Sequence, residues 1–243
     1  MIAAVWVLAA WGAAAEAAPP SYVVSPTSAP GATLLAGDAA AWKDAPRIEW
    51  GPSPYATQFA ALSSKDALYL RFDARDPSPW HTMTKRDEHL WEEEVVEAFL
   101  DIDRSGRDYA ELEISPGNVV CDVRMVSPYP DKKYDMTWNM EGLETRVVPL
   151  KDDAGKTVGW TALARLPWTG FRTLPSAAKI ALPPRPGDRW RFNVFRVERP
   201  GGKEHPEAGA VEVAWSDPHS PSFHVPAAFR DLVTALEGVK PVV

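Results

Sequence analysis

The strongest constraint on this chain is a two-residue apolar period that keeps returning between turn signals. Leu68, Leu70, Phe72 and Ala74 alternate with Tyr69, Arg71 and Asp73. Strand side chains point to opposite faces in turn, so this pattern predicts a half-buried strand and not a helix. Residues 95–101 read as a second strand, and residues 109–115 and 119–124 as a hairpin around Pro116-Gly117. Proline suits the second position of a type II turn, and glycine supplies the positive φ of the third. That turn sets Ile114 opposite Val119, Leu112 opposite Cys121 and Ala110 opposite Val123. The other face then carries Glu111, Glu113, Asp122 and Arg124, so one face is expected dry and the other charged.

The same signals continue to the end of the chain. Residues 143–148 and 158–166 pair across a turn at 151–155. Residues 190–198 form a long strand with Trp190, Phe192 and Val194 inward and Asn193 outward, and residues 211–215 and 229–236 complete the set. Residues 41–42 and 167–171 read as short helical turns. The 24 prolines and 15 glycines suit many turns and disfavour long helices. The expectation is an all-β fold, an antiparallel β-sandwich of immunoglobulin-like or jelly-roll-like type. It occupies one domain over residues 32–237, with a tail at 238–243. Residues 19–31, rich in Pro, Ser and Ala, read as a loose lead or a surface strap.

Residues 1–18 read as a signal peptide. Residues 2–15 are almost wholly apolar, and Ala15 and Ala17 put small residues at the −3 and −1 positions of a cleavage site. No Lys or Arg precedes Lys43, so the usual positive n-region is missing. The apolar run is too short to span a bilayer comfortably, which predicts an exported chain with no stable membrane span once matured. A net charge of −7 argues against nucleic acid, whose phosphates attract basic faces. Cys121 is the single cysteine, so no internal disulfide and no cysteine-based metal site can form.

Chemistry concentrates in residues 90–101, L-W-E-E-E-V-V-E-A-F-L-D. A tryptophan and three glutamates run into a strand that carries a fourth carboxylate, Glu97. Glu92 and Glu93 read as solvated. Asp101-Ile102-Asp103-Arg104-Ser105-Gly106 opens like a calcium loop, but its twelfth position is Leu112, so an acidic hairpin turn is the better reading. The five histidines lack metal-site spacing, and His224 stands out only because it follows Phe223 in an aromatic loop. No G-x-S-x-G, Cys–His pair or phosphate loop is present in the sequence. A glutamate pair could serve a glycosidase, and sequence alone does not fix the separation that such a pair needs. Aromatic binding is the stronger signal. Trp160, Trp190 and Trp215 fit core positions, whereas Trp80, Trp91, Trp138 and Trp168 sit at loop or strand edges. An exposed indole beside carboxylates suits a sugar: the ring covers C–H groups and the acids accept from hydroxyls.

Several blocks together resemble family 9 carbohydrate-binding modules and their DOMON-like relatives. They are L-Y-L-R-F-D-A-R-D (68–76), L-W-E-E-E-V-V-E-A-F-L-D (90–101), G-W-T-A-L-A-R-L-P-W (159–168), W-R-F-N-V-F-R-V-E (190–198), A-W-S-D-P (214–218) and F-H-V-P-A-A-F (223–229). The resemblance implies a β-sandwich with a sugar slot between two aromatic rings, no catalytic residue, and mono-, oligo- or polysaccharide as partner. It places Trp91 and Phe223 as the rings, with Phe223 where the family has a tryptophan. It makes Glu97 the acid that bonds hydroxyls, and it puts Glu113 where some members have a basic residue. Glu94, Arg124, Asn193 and Arg196 are the remaining polar ligands expected around the slot. The resemblance also implies structural calcium, with ligands unassigned, and a role in polysaccharide breakdown or uptake. Other readings are a glycoside hydrolase working through two glutamates, a haem or redox module of the DOMON-like type, and an envelope protein that only packs against partners.

Overall fold

A computed structural model describes residues 21–235. The signal-peptide segment 1–18 and the tail 238–243 lie outside the described residues. Thirteen strands run through the described residues: β1 (Tyr22–Pro26), β2 (Ile48–Trp50), β3 (Thr57–Ser63), β4 (Ala67–Arg75), β5 (Val95–Asp101), β6 (Tyr109–Ile114), β7 (Val120–Ser127), β8 (Lys133–Asp135), β9 (Glu144–Lys151), β10 (Thr157–Pro167), β11 (Arg189–Glu198), β12 (Val211–Ala214) and β13 (Arg230–Thr234). The only α-helical segments among the described residues are α1 (Gly31–Leu35) and α2 (Trp168–Phe171). The all-β expectation holds.

The strands follow the path β8-β7-β6-β5-β11-β13-β1-β3-β4-β10-β9, with β12 added to β11 and β2 to β3. This path folds into two packed layers, and β1 joins them. Tyr22–Val24 pair in parallel with Leu232–Thr234 of β13, and then Ser25 and Pro26 pair in parallel with Leu62 and Ser63 of β3. The other ladders are antiparallel. Residues 22–26 are therefore not a loose lead. They form the strand that switches sheets, and Tyr22 and Val24 are buried in the core.

Between the layers, Phe59 and Tyr22 both meet Phe192 with ring centroids 5.8 Å apart. Leu68, Leu70, Phe72 and Ala74 of β4 face Val96, Ala98 and Leu100 of β5 in the same apolar cluster. Full burial of such side chains is worth about 1.5–3 kcal/mol each. The expected half-burial of β4 is exceeded, because a second cap covers its other face. Leu34 of α1 and Trp42 pack on Tyr69, Ala60, Leu62 and Leu163. Arg71 and Asp73 sit on that covered face as a pair, with Nε 2.9 Å from Oδ2 and the Thr161 hydroxyl donating to Oδ1 at 2.7 Å.

One register differs from expectation, and it decides which side chains share a face. In the β6–β7 hairpin Ile114 faces Val120, Leu112 faces Asp122 and Ala110 faces Arg124, while Glu113 faces Cys121 and Glu111 faces Val123. The loop has three residues, not two. Ser115 N–H donates to Val119 O and Asn118 N–H to Ser115 O, both at 3.0 Å, and Asn118 takes the left-handed conformation at φ 60°. A three-residue hairpin commonly ends on such a residue, and asparagine tolerates it. Gly117 lies against the ring of exposed His81. The one-residue slip reverses every β7 side chain. Cys121 and Val123 join Glu113 and Glu111, and Asp122 and Arg124 turn to the opposite face.

Candidate functional site

The outer face of the β7-β6-β5-β11 layer carries the chemistry. Glu97 of β5 lies directly opposite Glu113 of β6 on one side and Phe195 of β11 on the other. Glu111 is two residues along β6 on the same face, opposite Phe99. One carboxylate oxygen from each of Glu97, Glu111 and Glu113 lies within 4.8 Å of the other two. Like charges directly opposed across a ladder destabilise a sheet, so the fold tolerates this cluster at a cost.

These three carboxylates floor a cleft of about 200 Å³, below the roughly 300–1,000 Å³ typical of drug-sized ligands. Trp91 and Phe223 form walls, and Lys132, Tyr134, Arg199 and Glu212 reach the rim. Trp91 sits in a 3₁₀ turn, Leu90–Glu92, that leads into β5 and is anchored by fully buried Leu90. Its indole stacks on His89 with centroids 4.4 Å apart and planes at 20°. Arg199 Nη2 donates to its carbonyl at 3.1 Å. Phe223 stacks on Phe195, also at 4.4 Å and 20°. Each wall ring is thus braced by a second ring. A larger, more open depression of about 720 Å³ lies beyond Trp91 and shares Trp91 and Arg199 with the cleft.

The floor is electrostatically strained. Burial, followed by the charge of Glu111, pushes the Glu97 carboxyl well up. Burial, then the charges of Glu97 and Glu111, does the same to Glu113. Burial raises Glu111 to about 7 against the opposing pull of Lys132. Neither oxygen of Glu113 has a hydrogen-bond partner among the described residues, although the side chain is fully buried. Uncompensated buried carboxylates are costly. His224 closes the end of the cleft. It stacks on Phe99 at 4.7 Å, meets the Tyr109 hydroxyl at 3.0 Å through Nδ1, and holds Nε2 3.9 Å from Glu111. Burial, with Lys132 adding to it, pushes its pKa down to about 3, so its ring is neutral at pH 7.

Of the eight residues expected from sequence, Trp91, Glu97, Glu113 and Phe223 meet in this cleft. The other four do not line it. Arg124 is carried to the opposite face by the hairpin register, 3.7 Å from Asp108 and 3.9 Å from Asp135. Asn193 is fully buried and clamps the main chain of Ser216, donating to its O at 2.8 Å and accepting from its N–H at 3.1 Å. Arg196 and Glu94 belong to a separate buried cluster with Asp76 and Glu198. There Arg196 Nη2 donates to Asp76 at 3.2 Å and to Glu198, and its guanidinium lies 4.9 Å over the Trp160 ring. Glu94 accepts from the Trp80 N–H at 2.9 Å, and burial together with its contacts to Glu198 pushes it up to about 10.

That second cluster is the natural place to look for the calcium the resemblance implies. Asp76, Glu94 and Glu198 bring oxygens within 4.8 Å of one another, and Glu94 Oε1 is unpartnered. Oxygen donors are what calcium takes, but it needs 6–8 of them. Arg196 already brings a cation to Asp76 and Glu198. The fit is therefore incomplete.

One further expectation changes. Glu93 is not solvated: it is buried and accepts from Thr82 N–H at 2.8 Å and Met83 N–H at 3.3 Å, fixing the strand entry. Trp138 and Trp168 cap the core, their indole N–H groups bonded to Thr173 Oγ1 at 2.8 Å and Ser64 O at 3.0 Å. Sequence reasoning set Glu111 on the same charged face as Glu113 but did not carry it to the sugar, because the resemblance assigns a place in the slot to Glu113 alone. It missed Lys132 and Arg199 because both lie beyond strand ends, where no periodicity marks them.

Known structures share this architecture. A proposed carbohydrate-binding protein from Bacteroides uniformis superposes with a TM-score of 0.64 at 14% identity, covering 88% of this chain and 98% of its own. A family 9 carbohydrate-binding module from Caldicellulosiruptor kristjanssonii superposes in complex with cellotriose (TM-score 0.58, 16% identity, 92% of this chain and 98% of its own). In complex with glucose it gives a TM-score of 0.60 at 15% identity, over 91% of this chain and 100% of its own. At these identities the likeness establishes the β-sandwich fold. No protein-family model and no curated protein matches the chain. Among the described residues no helix is long and apolar enough to cross a membrane.

Proposed function

We propose that the protein binds carbohydrate without catalysis, in the cleft between Trp91 and Phe223. One observation carries this reading: unpartnered buried acceptors lie on the floor between two aromatic rings that are each braced by a second ring. A pyranose offers the complementary surface, with C–H groups for the rings and hydroxyl donors for Glu97 and Glu113. The solved sugar complexes of structural neighbours support the reading, since those modules present the same sandwich to glucose and cellotriose. The small cleft suits a sugar unit or a chain end, and the open depression past Trp91 leaves room for further units.

A glycosidase is the less favoured use of these acids. Its two carboxyl groups flank the scissile bond, about 5–5.5 Å apart in retaining enzymes and 6.5–9.5 Å in inverting ones. Here the three carboxylates stand side by side on one floor, on the adjacent strands β5 and β6, and do not face each other across a cleft. The apolar residues 2–15 add an exported location to the proposal, consistent with capture of polysaccharide outside the cytoplasm. The test is isothermal calorimetry with a panel of mono- and disaccharides. Saturable heat with an affinity that falls roughly tenfold in Trp91→Ala supports the reading. No heat with any sugar overturns it.

A further inference from the structure

The carboxylate floor is excessive for a neutral sugar. Hydroxyl recognition needs one or two acceptors, and neutral amides or backbone carbonyls serve as well. This cleft holds three acids, and Glu113 presents both oxygens buried and unpartnered. The cations lining the cleft are Lys132 and Arg199. Arg199 is committed, with Nη1 2.7 Å from Glu212 and Nη2 on the Trp91 carbonyl. Lys132 is an exposed rim residue whose ammonium lies 5.4 Å over the Tyr134 ring. His224, the nearest basic ring to Glu111, is held neutral. The floor is therefore short of positive charge.

Resting on the carbohydrate reading above, we infer that the ligand is an amino sugar whose free ammonium seats on Glu97, Glu111 and Glu113 while its ring lies between Trp91 and Phe223. The donor set suits an ammonium. Its three N–H groups make charge-assisted bonds to three separate acceptors, and Glu97, Glu111 and Glu113 each bring a carboxylate oxygen to one place on the floor. The walls distinguish this ligand from a bare cation, which would leave Trp91 and Phe223 without a purpose. Burial holds the Glu97 and Glu113 carboxyls toward their protonated form, and an ammonium favours their ionised form, so the oxygens of Glu113 become hydrogen-bond acceptors for the ligand.

The experiment is calorimetry of the purified protein at pH 7 with D-glucosamine, D-glucose and N-acetyl-D-glucosamine, together with calcium chloride alone. Glucosamine binding at least tenfold tighter than both neutral sugars is expected. In Glu113→Gln and in Glu97→Gln, the ratio of glucosamine to glucose affinity should fall toward one. Equal affinity for glucosamine and glucose overturns the ammonium assignment but leaves the carbohydrate reading standing. Binding of none of the three sugars overturns both. Calcium saturating the site with heat that is lost in Glu113→Gln, and excluding glucosamine, shows the floor to be a metal site and also overturns the assignment.

Discussion

Glu97 and Glu113 face each other across the β5–β6 ladder, each fully buried, and neither oxygen of Glu113 finds a partner among the described residues. Two directly opposed acids cost a sheet stability, and burial adds a desolvation cost. Nothing in the sandwich core requires them, since the packed interior lies on the other face of the same strands. A position that is costly to the fold and open to a cleft is where a ligand recovers the loss on binding. The site is thus defined by an unmet electrostatic demand and two braced rings.

The demand should be readable in stability against pH. The Glu111 carboxyl is raised from its ordinary 4.5 to about 7. A raised carboxyl contributes stability that is fully present below 4.5 and lost as pH climbs through 7, about 3 kcal/mol in all. His224 has the opposite sign: its pKa falls from 6.5 to about 3, so its contribution is present above 6.5 and lost as pH drops toward 3. The two slopes oppose each other between 4.5 and 6.5. Glu111→Gln removes one of them. Its Tm relative to the native protein should grow by roughly 5–10 °C between pH 4.5 and 7. A Tm difference that is constant across this window, measured by calorimetric scans, would show that Glu111 is ordinary in the folded state.

Ring truncation should separate binding from folding. Trp91 is half-buried at the cleft wall, and its backbone turn is held by Leu90 and Arg199. Trp91→Ala should therefore keep the fold while weakening sugar binding by about 1–2 kcal/mol or more, roughly tenfold. Phe223 also packs on Phe195, so Phe223→Ala should lower both affinity and Tm. Trp91→Phe should recover part of the affinity, since a phenyl ring stacks with less area. Calorimetry with the best sugar of the panel, beside circular dichroism melts, reads both effects.

The hairpin register makes a third prediction, and it also shows how far sequence reasoning reached. The β6 and β7 strands and their turn at residues 116–118 could be read from alternation and Pro-Gly chemistry. Whether the loop has two residues or three could not, because Gly117 and Asn118 are both capable of positive φ. In the structure Asn118, and not Gly117, takes the left-handed position. That single residue of slip carried Arg124 out of the expected site and brought Cys121 and Val123 onto the same face as Glu113 and Glu111. Arg124→Ala should accordingly leave sugar affinity within about twofold. Asn118→Val, which forces a β-branched residue to φ 60°, should cost roughly 1–2 kcal/mol in urea unfolding, and Asn118→Gly should not. Loss of binding in Arg124→Ala would restore the two-residue turn.

The buried Arg196 cluster tests the division of labour between the two sets of acids. Glu94, Asp76 and Glu198 resemble the cleft floor in composition, but Arg196 answers their charge from within the core, over the face of Trp160. Sequence placed Arg196 and Glu94 at the sugar because both lie in blocks with the right order. Alternation along β11 decides otherwise: Arg196 shares its face with Trp190, Phe192 and Val194, whereas Phe195 and Val197 look toward the cleft. Removing one partner of a buried pair leaves the other charge uncompensated, at about 3–5 kcal/mol. Arg196→Met should therefore lower stability by that order in urea unfolding, while the folded fraction binds sugar with native affinity. Adding Asp76→Asn to Arg196→Met should return part of the stability, because it removes a charge that Arg196 no longer answers. A double-mutant cycle with near-zero coupling between Arg196 and Asp76 would mean that the pair is not a stabilising unit, and lost sugar affinity in well-folded Arg196→Met would move Arg196 back into the binding site.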